Sequence, residues 1–216
     1  MRFAELVKQE EYRQRLVKGL TLALAGITSW LYVGSHLQTV QSAAVFDYVL
    51  SVLPAVQNKF TTGIYVYLYL AVLLASLAVF LWKEPARVPY ILAVFGVLLL
   101  MSNLFYASTV LAPPADRPDR LIAGFEFDHD LFPSRHVGVT FLLGLLTQVL
   151  WLRYLLFGVS VILGIDVLLL HVHYSFDVLG GYVVAYAVYK FGEKYLKKWF
   201  EFPESPSHWS KVNQQK

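Results

Sequence analysis

A histidine and an aspartate near the end of the chain have the types and spacing of a nucleophilic centre. They lie in the segment HVHYSFD, residues 171–177. His173 and Asp177 are four residues apart, a spacing that places both side chains on one face of a helix. A carboxylate bound to one ring nitrogen leaves the other nitrogen available as a nucleophile or base. The spacing therefore predicts an Asp-oriented histidine with His171 beside it, although an interfacial histidine pair without chemistry is the ordinary alternative.

A second candidate segment is PSRH, residues 133–136, which precedes a long apolar stretch. Ser134 is a typical N-cap residue, so a helix should begin here and present its first unpaired amides to an anion. Arg135 adds a cation whose planar fork matches phosphate, and His136 adds a proton donor suited to neutral pH. The segment favours an anion site, although a capped helix with an interfacial histidine shows the same pattern.

Five polar residues around these segments are weaker candidates. Arg117 and Arg120 could neutralise a phosphate, although a solvated loop of alternating charge explains them equally simply. Asp166 is an acid in an apolar stretch, which makes it a functional candidate, or a structural acid bonded to a neighbouring helix. His129 and Asp130 belong to an acidic turn that could hold a cationic head group or a divalent metal. A solvated turn is the simpler interpretation.

The composition of the chain predicts a membrane protein. Of 216 residues, 57% are hydrophobic and 15% are charged, and the mean hydropathy is +0.53. Soluble domains contain about 25% charged residues, and disorder requires low hydrophobicity with high charge. The chain has no Cys, which excludes a disulfide scaffold, a thiolate zinc site and a Cys nucleophile.

We predict an all-α fold, a single membrane domain built as a six-helix bundle. Uncharged runs of about 20 residues can cross a bilayer as helices, and these runs lack the alternation of barrel strands. The predicted spans are residues 19–35, 60–82, 88–111, 137–152, 154–170 and 178–198. Outside them we predict an interfacial helix at 1–18, a short re-entrant or interfacial segment at 43–56 and a polar tail at 203–216.

The distribution of Lys and Arg predicts the orientation. It is most asymmetric if the N- and C-termini of this multi-pass protein are cytoplasmic. The loops after the third and fifth spans then face the extracytoplasmic or luminal side. They carry four of the six histidines, namely His129, His136, His171 and His173. Two histidines with nearby cations and helix-start amides supply the groups that phosphoryl transfer needs.

These segments resemble the type 2 phosphatidic acid phosphatase superfamily. Its three motifs are Lys-x6-Arg-Pro, Pro-Ser-x-His and Ser-Arg-x5-His-x3-Asp. Residues 133–136 fit the second motif fully, and Arg117-Pro118 fits the end of the first. His173 and Asp177 fit the end of the third. The order of the motifs and the six spans are also similar.

Two of the three motifs depart from the superfamily pattern. Val110 replaces the Lys of the first motif, and Asp166-Val167 replaces the Ser-Arg of the third. The sphingomyelin synthase branch also lacks that Arg and carries His-x-His-Tyr-x-x-Asp, which residues 171–177 resemble. Residues 130–136 are likewise similar to that branch's Leu-Phe-Ser-Gly-His segment. Arg120 and Arg135 are the candidates to replace the missing cations.

The resemblance implies a membrane lipid phosphatase or a lipid phospho-head-group transferase that needs no metal and no cofactor. It implies that His173 forms a phosphohistidine intermediate, that Asp177 orients it and that His136 protonates the leaving group. The residues expected to bind the phosphate are Arg117, Arg120, Ser134 and Arg135. The accessory candidates are His129, Asp130, Asp166 and His171. The expected partners are a membrane lipid substrate and the bilayer, with no nucleic acid.

Three alternatives stay open at this point. The first is a simple phosphatase for phosphatidic acid or isoprenoid (di)phosphates. The second is a non-catalytic lipid-binding or scramblase-like protein, to which the two missing motif cations would point. The third is a metal-dependent intramembrane hydrolase using His136, His171, His173 and Asp177, which a chelator would inactivate.

Overall fold

The computed structural model of the protein describes residues 2–56, 58–117 and 129–203. These residues form helices, turns and loops without a strand, which confirms the all-α prediction. The helices are α1 (Phe3–Leu6), α2 (Glu10–Leu37), α3 (Tyr48–Val52), α4 (Lys59–Gly63), α5 (Tyr69–Lys83), α6 (Val88–Ser108), α7 (Arg135–Leu146), α8 (Leu150–Leu169), α9 (Ser175–Phe191) and α10 (Lys197–Phe200). A π turn at Ile64–Leu68 joins α4 to α5, and a second at Gly192–Leu196 joins α9 to α10. A 3₁₀ turn at Pro85–Arg87 precedes α6.

Among the described residues, four helical stretches are long and apolar enough to cross a membrane. They are Glu10–Leu37, Lys59–Lys83, Pro85–Ser108 and Leu150–Leu169. The apolar helix α7 has only 12 residues, fewer than the about 20 that a simple span requires. The helices are thus consistent with a multi-pass membrane protein.

The first long helix, α2, begins at Glu10 and passes Gly19 without a break. The predicted interfacial helix at residues 1–18 is therefore divided between α1 and the start of α2. The helix includes these charged residues because ion pairs between residues one turn apart stabilise it. Nη2 of Arg15, for example, lies 2.6 Å from Oε1 of Glu11. The change from charged to apolar sequence does not coincide with a helix end.

Close backbone contact joins α2 to α6. A Cβ atom on Gly96 would lie 2.4 Å from the carbonyl carbon of Leu22, so only glycine permits this approach. Nδ2 of the buried Asn103 donates to the carbonyl of Gly26 at 2.9 Å. The two helices thereby form a fixed pair beside the rest of the bundle.

A buried ionic cluster fixes the turn between α7 and α8. Nη1 of Arg87 lies 2.7 Å from Oε2 of Glu84, and both side chains are almost fully buried. Oε1 of Glu84 accepts a hydrogen bond from the backbone N–H of Gln148 at 3.0 Å. The turn therefore lies at residues 147–149, earlier than the predicted end of the fourth span at residue 152. Its polar groups are satisfied by side chains from a distant part of the chain.

The loops that follow α2, α6 and α8 meet at the opposite end of the bundle. The backbone N–H of Ala112 donates to the carbonyl of Ala43 at 3.3 Å, and that of Val56 donates to Leu169 at 2.7 Å. The two candidate segments, at residues 133–136 and 171–177, lie at this end.

Candidate functional site

The turn that begins α9 brings His173 and Asp177 together. Tyr174 is the N-cap residue, and its backbone N–H donates to Oδ2 of Asp177 at 2.8 Å. Nδ1 of His173 lies 3.5 Å from the same oxygen. His173 precedes the helix, so the four-residue spacing acts through the capping turn and not through a helical face. The side chains of both residues are buried, and Nδ1 has no hydrogen-bond partner within the described part of the chain.

His136 lies in the first turn of α7 and faces His173. Their ring centroids are 6.3 Å apart, with the ring planes at 63°. The backbone N–H of Ser134 donates to the carbonyl of Asp177 at 2.9 Å. A Cβ atom on Gly181 would lie 2.6 Å from the carbonyl oxygen of Ser134. Close approach of α7 and α9 therefore sets the separation of the two imidazoles.

Two tyrosines that sequence reasoning missed pack on the ring of His136. The ring centroid of Tyr65 lies 4.3 Å away and that of Tyr69 lies 4.5 Å away. Tyr65 belongs to the π turn at Ile64–Leu68, and Tyr69 is the first residue of α5. Single π turns inside helices occur frequently at functional sites. The signal in the sequence is three tyrosines at alternate positions, Tyr65, Tyr67 and Tyr69, in a mostly apolar span.

Arg135 is directed toward a neighbouring acid and two aromatic rings. Its Nη2 donates to Oδ2 of Asp130 at 2.9 Å. Its Cζ lies 4.4 Å from the ring centroid of Trp30 and 5.1 Å from that of Tyr106. The expected phosphate ligand Arg135 and the accessory candidate Asp130 are thus partners in this structure.

Ser134 occupies the N-cap position of α7, as its sequence context predicts, but its hydroxyl makes no capping hydrogen bond. The side chain is fully buried, and Oγ has no hydrogen-bond partner among the described residues. A buried hydroxyl without a partner costs about 1–3 kcal/mol. An anion at the start of α7 would satisfy it together with the helix-start amides.

Asp47 is a third residue that sequence reasoning missed. Its Oδ1 accepts hydrogen bonds from the backbone N–H groups of Val49 and Leu50, and its Oδ2 accepts from Ser175 at 2.6 Å. Burial opposes ionisation, but these hydrogen bonds outweigh it and lower the pKa of Asp47. The carboxylate therefore joins α3 to the first residue of α9, directly beside the candidate site.

His171 lines a separate open pocket of about 170 Å³ where three loops meet. Its φ of 55° is left-handed, a conformation that glycine usually adopts after a helix end. Nδ1 of His171 lies 3.9 Å from Oδ2 of Asp116. The structure thus directs this accessory candidate toward Asp116, a different acid from the one behind His173.

Of the remaining accessory candidates, His129 has a backbone partner and Asp166 is buried in α8. Nδ1 of His129 hydrogen-bonds the carbonyl of Leu111 at 2.7 Å, which ties its turn to the end of α6. Asp166 is a buried residue of α8, and its Oδ2 has no hydrogen-bond partner among the residues described.

The two cations of the loop after α6 are only partly described. The backbone N–H of Arg117 donates to the carbonyl of Pro114 at 3.0 Å. Arg117 therefore follows the turn that carries Asp116 beside His171. Arg120 lies outside the described residues.

The four ligands of the metal-hydrolase alternative are not assembled as a metal centre. In the described ranges, no three His, Asp or Glu side chains are grouped so that they could hold a metal ion. His173 is instead paired with Asp177, and His171 with Asp116.

Comparison of the chain with family models, curated proteins and solved structures gives no match. The resemblance to the lipid phosphatase superfamily therefore rests on the motif residues alone.

Proposed function

We propose that the protein is a six-span membrane enzyme that transfers a phosphoryl-containing group from a lipid through a phosphohistidine at His173. The observation that carries this proposal is the pair of facing imidazoles, His136 and His173, 6.3 Å apart with Asp177 behind the second ring. The proposed topology adds α7 and the α9–α10 stretch to the four long apolar helices. The site then faces the extracytoplasmic or luminal side.

In the first proposed step, His173 attacks the phosphorus of the lipid. Nδ1 faces the carboxylate of Asp177, so Nε2 carries the lone pair that forms the N–P bond. The P–O bond to the leaving group breaks, and His136 gives its proton to the leaving oxygen.

In the second step, a hydroxyl group attacks the phosphohistidine. His136, now neutral, takes the proton of that hydroxyl as the new O–P bond forms, and the N–P bond to His173 breaks. Water as the attacking group makes the protein a phosphatase, and a lipid hydroxyl makes it a transferase. His173 is only 4% exposed and Asp177 is fully buried. This burial restricts water and supports transfer to a lipid.

The start of α7 supplies donors for the phosphate oxygens in this proposal. Ser134 contributes a buried hydroxyl, and the first amides of α7 lie at the positive end of the helix dipole. Arg135 is adjacent, although its guanidinium is bound to Asp130. Phosphate binding by Arg135 would require exchange of the Asp130 carboxylate for a substrate oxygen.

The ion pair between Arg135 and Asp130 favours a second candidate, a non-catalytic lipid-binding or scramblase-like protein. The sequence already lacks two cations of the superfamily motifs, at Val110 and Val167. A third cation neutralised by Asp130 further weakens the attraction for a phosphate. The two candidates differ in whether any bond to phosphorus is broken.

The test uses the purified full chain with labelled phosphatidic acid or a labelled phosphodiester lipid, each with and without diacylglycerol or ceramide. Release of free phosphate identifies a phosphatase, and a new phospholipid identifies a transferase. His173→Ala and His136→Ala should each abolish turnover. His36→Ala is the matched control, because His36 is an exposed histidine that stacks on Tyr32.

Three results would contradict the proposal. Equal turnover by His173→Ala would exclude His173 as the nucleophile. Loss of turnover on chelation would support metal-dependent chemistry instead. No turnover by the wild-type protein on any of these lipids would favour the non-catalytic candidate.

A further inference from the structure

A stripe of exposed lysines runs along the last helical stretch, at the end of the bundle opposite the candidate site. We name Lys190, Lys194 and Lys198 the lysine stripe. They are spaced four residues apart, so successive side chains share one side of the helix. Within the described part of the chain, none of the three has a carboxylate within ion-pair distance.

Each lysine of the stripe lies over an aromatic ring. The Nζ atom of Lys190 is 5.5 Å from the ring centroid of Tyr186, that of Lys194 is 4.9 Å from Tyr195, and that of Lys198 is 5.2 Å from Trp199. The three rings are themselves exposed, with Trp199 64% accessible. Exposed aromatic rings and lysines near the end of a membrane-spanning helix are characteristic of the membrane–water interface.

The same pairing recurs on a neighbouring helix. Nζ of Lys83 lies 3.9 Å from the ring centroid of Trp82, which is 75% exposed at the end of α5. The ends of α5 and of α9–α10 are on the same side of the bundle, because Arg87 bonds to both Glu84 and Glu201. The lysine stripe is thus part of a cationic, aromatic rim.

Lys197 provides an internal contrast. Its Nζ lies 3.2 Å from Oε2 of Glu193 and 3.7 Å from Oε2 of Glu201. It is a neutralised cation, whereas the three lysines of the stripe have no such partner among the described residues. Pairing within the described part of the chain therefore does not account for the stripe, and we infer that its charge is available to an external anion.

We propose that the lysine stripe binds the head groups of anionic phospholipids in the leaflet at this end of the bundle. Unpaired lysines near a membrane surface attract anionic lipids, and exposed aromatic rings insert at head-group level. The inference rests on the proposed placement of α9 and α10 across the membrane, and not on the phosphohistidine mechanism.

The test compares unfolding in two bilayers. The full chain is reconstituted in nanodiscs of phosphatidylcholine alone and of phosphatidylcholine mixed with phosphatidylglycerol, and Tm is measured at low and high salt. The wild type should have a higher Tm in the anionic discs, and salt should reduce the increase. The K190Q/K194Q/K198Q variant should lose most of the increase, whereas K197Q and the charge-preserving K190R/K194R/K198R should keep it.

A full anionic-lipid increase in K190Q/K194Q/K198Q, or an equal loss in K197Q, would overturn the proposal. If the triple variant does not reconstitute, K194Q alone should show a reduced increase, and an undiminished one would count against the stripe. Topology is checked separately by labelling single introduced cysteines. This is possible because the chain has no Cys of its own. An impermeant maleimide should label H36C and K198C from opposite sides of the membrane. Labelling from one side would reject the proposed topology, whatever the lipid result.

Discussion

The backbone N–H of Ser134 donates to the backbone carbonyl of Asp177 across 2.9 Å. This hydrogen bond joins the residue that caps α7 to the acid that faces His173. The two candidate segments, about forty positions apart in sequence, are therefore connected through their backbones. His136 and His173 owe their facing arrangement to this contact and to the glycines that permit it.

Gly181→Ala should disrupt both the fold and the site. The new Cβ atom would lie 2.6 Å from the carbonyl oxygen of Ser134, a backbone atom that cannot move alone. We expect a loss of about 1–3 kcal/mol in unfolding free energy and a loss of turnover that exceeds the unfolded fraction. Gly158→Ala is the control, because nothing lies within 4 Å of its added Cβ atom. Denaturant unfolding in detergent and turnover on the same samples measure both effects, and equal results for the two variants would refute this packing argument.

Tyr65 and Tyr69 should act on turnover through the position of His136. Replacing both by leucine removes two rings at 4.3 and 4.5 Å from the imidazole. We expect kcat to fall about tenfold or more, because a misplaced proton donor loses most of its 10²–10⁴-fold contribution, while KM changes little. Phenylalanine at both positions should restore kcat.

Tyr67→Leu is the matched control for that experiment, because Tyr67 belongs to the same π turn but is 72% exposed. In a His136→Ala background assayed with a leaving group that needs no protonation, the double leucine change should cause no further loss in the phosphorylation of His173. An additional loss there would show that the tyrosines act on something other than His136.

Asp47→Asn should lower stability in a pH-dependent way. The native structure stabilises the carboxylate and lowers the pKa of Asp47 below its ordinary value of 3.8. A lowered native pKa gives a stabilisation that is fully present above the unfolded-state pKa and is lost as pH falls through the native value. The stability difference between wild type and Asp47→Asn should thus be constant from neutral pH down to about 4 and shrink below it. Unfolding measured across this range tests the sign, and a difference that grows on acidification would contradict it.

Arg87→Met should be strongly destabilising without affecting the chemistry of the folded fraction. It leaves the buried carboxylate of Glu84 without the guanidinium that lies 2.7 Å away. Breaking one partner of a buried pair costs about 3–5 kcal/mol. Arg13→Met removes an exposed pair with Glu10, and the expected cost is only about 0–1 kcal/mol. Comparable losses of Tm in the two variants would show that the burial of the cluster does not matter.

The helical class and the positions of two helices followed from the sequence because apolar runs between charged clusters determine them. The predicted spans at residues 60–82 and 88–111 nearly coincide with the stretches Lys59–Lys83 and Val88–Ser108. The break between α7 and α8 was displaced because Glu84, from another part of the chain, satisfies the turn at Gln148. Local patterns of charge in the sequence do not predict such hydrogen bonds between distant parts of the chain.

The motif residues could be found from spacing, but their supports could not. The spacing predicts that His173 and Asp177 lie together, and they do, although a capping turn and not a helical face brings them together. Tyr65 and Tyr69 looked like ordinary residues of an apolar span, because nothing in the sequence indicates that a π turn presents them to His136. Contacts between distant segments decide these roles.

Trapping the covalent intermediate tests the central proposal most directly. In His136→Ala, a labelled lipid phosphate with a leaving group that needs no protonation should still phosphorylate His173, and the missing base should slow the release. We predict an acid-labile, base-stable label on the peptide that contains His173, absent from His173→Ala and from His136→Ala/His173→Ala. The account is contradicted if the wild-type protein turns over its substrate but His136→Ala shows no label on the peptide that contains His173. A label on another residue would also contradict His173 as the nucleophile.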